Sequence, residues 1–151
     1  MMRSLVMLCV LVLTLSVSHA SEQNVLMVRS SLPFPEAMSA LQNAIIDHKY
    51  TLSRVQRVDV GLEKAGYKTD RYRIVFFGRH DEIKAITDKH PEMAAFLPLK
   101  IVLFSEEDDT MLVALNPVHF AQVVADESLQ PLFNRWLVDV KTILNDVKTD
   151  E

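Results

Sequence analysis

The sequence is short of the residues on which several kinds of chemistry depend: its 151 residues include one cysteine, three glycines and one tryptophan. The cysteine, Cys9, lies in an opening segment that reads as a secretory signal peptide. Arg3 is followed by an apolar run from Leu5 to Val17 and by Ser18-His19-Ala20, with small residues at the first and third of those positions. A transmembrane anchor needs about 20 apolar residues, so the run is too short to be one and cleavage after Ala20 is expected. Bulky Leu8 before Cys9, with no polar spacer, argues against lipidation.

Residues 21–151 then form a single domain without a thiol. That excludes disulfides, thiol nucleophiles, cysteine-ligated zinc, iron–sulfur clusters and covalently attached c-type haem. With only Gly61, Gly66 and Gly78, neither a phosphate-binding loop nor a dinucleotide fingerprint can be written, and the three glycines read as segment ends. A Gly-x-Ser-x-Gly nucleophile elbow is missing, as are His-Glu-x-x-His and His-x-His patterns.

An excess of positive charge is lacking too. The chain's 16 Lys and Arg, less Arg3 of the leader, against 20 Asp and Glu give the mature domain a formal charge of −5. Nucleic acid is therefore not the expected partner, since phosphates call for a basic face. What is present is 49% hydrophobic residues, and a domain of this size buries roughly two-thirds of its unfolded surface, so packing alone can hold it.

Apolar spacing predicts the elements. Asn24 to Arg29 is β-prone. Pro33-Phe34-Pro35 precedes a helix over about 35–48, carried by Ala37, Met38, Leu41, Ala44 and Ile45. Tyr50 to Val58 has strand composition, Asp59 to Gly66 reads as a short helical turn, and Tyr72 to Phe77 is the strongest strand. In it Ile74-Val75-Phe76-Phe77 is apolar on both faces, which marks a central strand.

Residues 80–95 read as helix with a kink or restart at Pro91. Leu99 to Phe104 and Thr110 to Leu115 form a hairpin with Glu106-Glu107-Asp108-Asp109 at its tip. Those acids read as solvated rather than as a calcium loop, whose ligand spacing they lack. A short helical piece near 118–125 precedes a long helix from Ser128, whose stripe runs Phe133, Trp136, Leu137, Val140, Leu144, Val147. About 19 residues of it would reach roughly 28 Å, enough to lie across a sheet. The order β-α-β-β-α-β-β-α-α describes one α+β domain: an antiparallel sheet packed around a long C-terminal helix.

Four local patterns stand in a recognisable order: Glu63-Lys64-Ala65-Gly66, Phe76-Phe77-Gly78-Arg79, Phe96-Leu97-Pro98-Leu99-Lys100-Ile101 and Leu115-Asn116-Pro117. In these the chain resembles the domain of unknown function 302 family over roughly residues 34 to 125, with a helical extension to about 147. The resemblance implies a helix-grip, TBP-like fold, often dimeric, in small stand-alone bacterial domains. It therefore favours the periplasm over full secretion. It implies no established activity and carries over no catalytic residue. The second motif is typically Phe-Gly-Asn-Pro in the family; here Arg79-His80 replaces Asn-Pro.

Two groups of residues are candidate sites. Arg79 and His80 follow the central strand and, with Asn116 at the end of the hairpin, would form a polar corner of the kind that presents ligand-contacting groups. Trp136 would join them if a cavity for an apolar molecule opened between sheet and long helix, although a lone Trp on an apolar stripe is more often core. The alternative is haem or metal binding through His90 and Met93, three residues apart, with His80 on the same segment. The expected role is thus an exported, non-catalytic domain that binds a small apolar molecule or a protein partner, forms a homodimer and needs no cofactor. A His and carboxylate enzyme built on His80 with Asp81 or Glu82 fits less well, since adjacent helical positions do not face each other.

Overall fold

A computed structural model describes residues 23–148; the leader read at residues 1–20 lies outside them. Strand β1 (Val25–Ser30) leads through Pro33 into helix α1 (Phe34–Asp47), and β2 (Thr51–Arg57) runs directly into helix α2 (Val58–Lys64). Then follow β3 (Tyr72–Gly78) and α3 (His80–Lys89). The hairpin strands are β4 (Leu99–Glu106) and β5 (Asp109–Leu115), and the last helix is α4 (Gln130–Val147). The helix expected over 80–95 is divided at Pro91, whose missing N–H and restrictive effect on His90 end α3 and leave a 3-10 turn, Pro91–Ala95.

The five strands form one antiparallel sheet in the order β1-β5-β4-β3-β2. Alternation along each strand gives the sheet two different faces. One carries Leu26, Val75, Phe77, Leu99, Ile101, Leu103, Leu112 and Ala114, all buried beneath α1 and α4. The helices answer largely with the stripes read from the sequence: Ala37, Leu41, Ala44 and Ile45 from α1, and Phe133, Trp136, Val140, Leu144 and Val147 from α4, which also buries Ile143, while Met38 and Leu137 are only partly buried. Phe120 fills the end of the core, meeting Phe96, Phe133 and Trp136 at centroid separations of 5.4, 6.0 and 6.4 Å.

Buried polar groups are tied down at the margins. The Ser30 hydroxyl donates to the Val147 carbonyl at 2.7 Å and the Thr110 hydroxyl to that of Leu32 at 2.9 Å. Helix α1 ends with Lys49 in the left-handed region at φ 62°, the usual way a helix turns into a strand.

Gly78 closes β3 for reasons of space. A Cβ there would lie 2.4 Å from Ile83 Cδ1 and 3.3 Å from Ile83 Cγ1. Because the obstacle is the far end of a flexible side chain, Gly78→Ala should cost about 1 kcal/mol and Gly78→Val about 2–3 kcal/mol. Urea unfolding of both variants, alone and with Ile83→Val, checks this. The second substitution removes Cδ1 and should recover most of the alanine penalty. No recovery would show that the crowding lies elsewhere.

Candidate functional site

The residues singled out in the sequence occupy three places. Arg79 lies at the entrance of α3, its guanidinium 4.3 Å over the Tyr50 ring. It donates to the carbonyls of Lys49 and His48 at 3.3 and 3.2 Å and to Glu82 at 3.2 Å. Glu82 also accepts from Arg135 at 2.7 Å and, through its other oxygen, from the Trp136 indole N–H at 3.1 Å. Arg79 and Trp136 are thereby brought together through a carboxylate one helical turn along α3. Asp139 completes the cluster by accepting from the Tyr50 hydroxyl at 2.6 Å; burial first, and then that carboxylate, push the phenol far above its ordinary range.

Asn116 is elsewhere. It follows β5, at the sheet end where β3 also finishes but with β4 in between. Its side chain is buried and committed at both ends: the amide donates to the Gln23 carbonyl at 3.0 Å, and the oxygen caps the following 3-10 turn through the Val118 N–H at 3.1 Å. His80, the first residue of α3, is exposed.

His90 and Met93 lie in different surroundings. Met93 is fully buried in the core, whereas His90 meets Asp126 through Nε2 at 3.1 Å and Glu92 through Nδ1 at 3.5 Å. The Asp126 carboxyl is held below its usual range by the Ser128 hydroxyl and amide first and by His90 second. Among the described residues, no group of three or more His, Cys, Asp or Glu is placed to hold a metal ion.

The space expected between sheet and long helix is filled. A residual void there, bounded by Phe96, Leu99, Phe120 and Val140, measures about 10 Å³, and Trp136 is 1% exposed. A second cleft of about 290 Å³ adjoins His119 and Phe120.

Open apolar surface instead lies on the opposite face of the sheet. One row crosses four strands as Met27, Val113, Val102 and Ile74, ending at Gln56 on β2. A parallel row sets Arg29, Met111, Phe104 and Tyr72 side by side, and on the other flank Lys100, Phe76 and Arg54 adjoin in turn. Met27 is 58% exposed and Leu115, at the end of β5, 45%. Over this face lies a concavity of about 540 Å³, floored by Met27, Val102, Phe104 and Val113 and walled by residues 69–72 and Ser105. That volume lies in the range of small-molecule sites.

Ile74-Val75-Phe76-Phe77, apolar at every position, marks a central strand, and β3 lies inside the sheet between β4 and β2; α1 and α4 cover the face of Val75 and Phe77, and Ile74 and Phe76 lie on the other. The acidic tip is solvated as read, with Glu106, Glu107 and Asp108 exposed. Arg29 reaches across from β1 to Asp109 at 2.9 Å and to Glu106, so one guanidinium is shared by the two carboxylates bordering this face and offsets half of their charge.

The profile of the family described as Domain of unknown function DUF302 matches residues 26–147. A crystal structure described as an uncharacterized conserved protein DUF302 from Bacillus stearothermophilus is similar in fold. It superposes with a TM-score of 0.76 at 16% identity, over 83% of this chain and 99% of that one. No curated protein matches the chain in sequence.

Proposed function

The chain belongs to the DUF302 family of domains of unknown function, and on that premise we propose that it is an exported, non-catalytic binding domain. Its working surface is the face of the sheet that carries no helix, and the ligand is a small apolar molecule seated in the concavity over β1, β5, β4 and β3. The observation that carries this reading is the unbroken apolar row Met27-Val113-Val102-Ile74, whose first three residues floor a 540 Å³ hollow. Solvent contact along such a row is unfavourable, at about 25 cal/mol per Å² of apolar surface, and contiguous patches of this kind mark binding sites. The polar groups that converge elsewhere support a role without a reaction: Glu82, Asp139, Asn116 and Asp126 are all engaged in holding neighbouring elements together.

The apolar row extends past the concavity, and this favours a second reading in which two copies associate face to face as a homodimer. Five strands about 4.8 Å apart and six residues long present roughly 20 × 20 Å of sheet. That is about half of the 800 Å² per partner that a stable standard interface buries, so the small-molecule reading is preferred.

Val102→Glu places a carboxylate in the middle of the row and separates these readings from a structural role. Uptake of an apolar fluorescent dye should fall by about tenfold or more, as expected for loss of one well-buried apolar contact, with thermal unfolding moved little. Light scattering of the wild type across concentration tests the dimer. Unchanged dye uptake by the variant, together with a monomeric wild type, would sink both readings.

A further inference from the structure

The charges around the open face assign its ligand more narrowly, resting on the reading of that face as the binding surface. The chain as a whole is acidic, yet this face is not. Its two bordering carboxylates, Glu106 and Asp109, share the Arg29 guanidinium at the hairpin end, away from Lys100 at the start of β4. Lys100 and Arg54, which flank Phe76 in the neighbouring row, have no carboxylate partner among the described residues. The acid exposed at the hollow, Asp70, stands in the opposite wall beside Arg71.

We propose that the face takes a single-chain anionic amphiphile, a fatty-acid-like molecule whose carboxylate meets the Lys100 ammonium while its alkyl chain lies over Val102, Phe104, Met27 and Val113. From Lys100 to Phe104 the floor runs four residues along β4, about 13 Å, which suits an extended chain of medium length. The ammonium supplies a charge-assisted contact to the head, with Arg54 adding longer-range attraction. The apolar rows supply the rest of the affinity and accept any alkyl chain. Discrimination between head groups therefore falls to Lys100.

The test is a series with one tail and three heads: dodecanoate, dodecanol and dodecyltrimethylammonium, each below its micelle concentration, scored by dye displacement and by native mass spectrometry of the purified protein. Dodecanoate is expected to bind about tenfold more tightly than dodecanol, with the cation weakest and the preference shrinking as salt rises. Lys100→Glu should invert the order of the two charged ligands while leaving dodecanol within about twofold, and Lys100→Gln, which introduces no new charge, should bring all three together. Equal binding of dodecanoate and dodecanol by the wild type, or an order unmoved by either substitution, overturns the head-group assignment and leaves the apolar face standing. Failure of all three to bind overturns the face as a ligand site as well. Binding to dodecanoate-doped phosphatidylcholine vesicles without extraction of the monomer would identify a lipid surface instead and also count against the proposal.

Discussion

Replacing Glu82 by alanine is expected to lower stability by about 2–4 kcal/mol and to change the emission of Trp136. One carboxylate there accepts from three donors: Arg79 just before α3 and Arg135 on α4 through Oε1, and the Trp136 indole on α4 through Oε2. Truncation leaves a buried indole N–H without an acceptor and takes a counter-ion from two partly covered guanidiniums, of which Arg79 keeps the Lys49 and His48 carbonyls. An unsatisfied buried donor costs about 1–3 kcal/mol, and the charge pairs add less than fully buried ones would because all three side chains retain solvent contact. Glu82→Gln keeps the shape and one acceptor oxygen and should lose about half as much. Since Trp136 is the chain's single tryptophan, its fluorescence through a urea titration reads stability and local environment together. A loss below about 0.5 kcal/mol for Glu82→Ala would mean that the cluster is incidental to the packing of α3 on α4.

That cluster also illustrates how far the sequence could be read. The stripe Phe133, Trp136, Leu137, Val140, Leu144, Val147 is local information, spaced mostly at three and four residues, and α4 buries all of it but Leu137, which is half-buried, and adds Ile143. The same holds for α1 and for the strands of the hairpin, because periodicity needs no knowledge of partners. Arg79 and Trp136 were legible as special residues, one for its place after a strand and the other for its rarity. Their meeting through Glu82 was not, since 54 residues separate Glu82 from Trp136 and only the packed fold sets that distance. Arg29, 80 residues before Asp109, escaped notice for the same reason. Asn116 is placed in the polar corner by its position at the end of the hairpin, while the capping role of its Asn-Pro pair is equally local. An Asn before Pro caps a turn as readily as it contacts a ligand, and the Gln23 carbonyl that takes its amide lies at the far end of the described chain. The open face was half legible. A strand apolar at every position announces that both of its sides avoid water, but not whether the second cover is another part of the chain or a separate molecule.

A second large effect is expected at the other end of the sheet, where Asp59 on α2 meets Arg73 on β3. Asp59 is 5% exposed, forms an ion pair with the Arg73 guanidinium and accepts the Val60 N–H at 2.8 Å. The Arg73 hydrogen bond is the main influence that holds this carboxyl below its usual range, opposed by burial and reinforced by the Val60 amide. Arg73 in turn lies over the Phe34 ring at 5.8 Å, so the pair joins α2, β3 and the start of α1. Asp59→Asn should cost about 2–3 kcal/mol at pH 7, where the wild-type carboxylate is charged and the variant leaves the guanidinium without its counter-ion.

The effect of pH on that difference follows from linkage. A carboxyl whose folded pKa lies below its unfolded value, about 3.9 for aspartate, contributes its full stabilisation above the unfolded value and loses it as pH falls through the folded one. The gap between wild type and Asp59→Asn should therefore stay constant from pH 7 to about 5 and close progressively below about pH 4. Urea unfolding of both proteins at pH 7, 5, 4 and 3 measures it. A double-mutant cycle with Arg73→Met at pH 7 isolates the pair from the hydrogen bond between Asp59 and the Val60 N–H, because only the pair's share vanishes when Arg73 is already gone. A gap that persists undiminished at pH 3 would place the stabilisation in the Val60 amide bond and in packing rather than in the charge of Asp59.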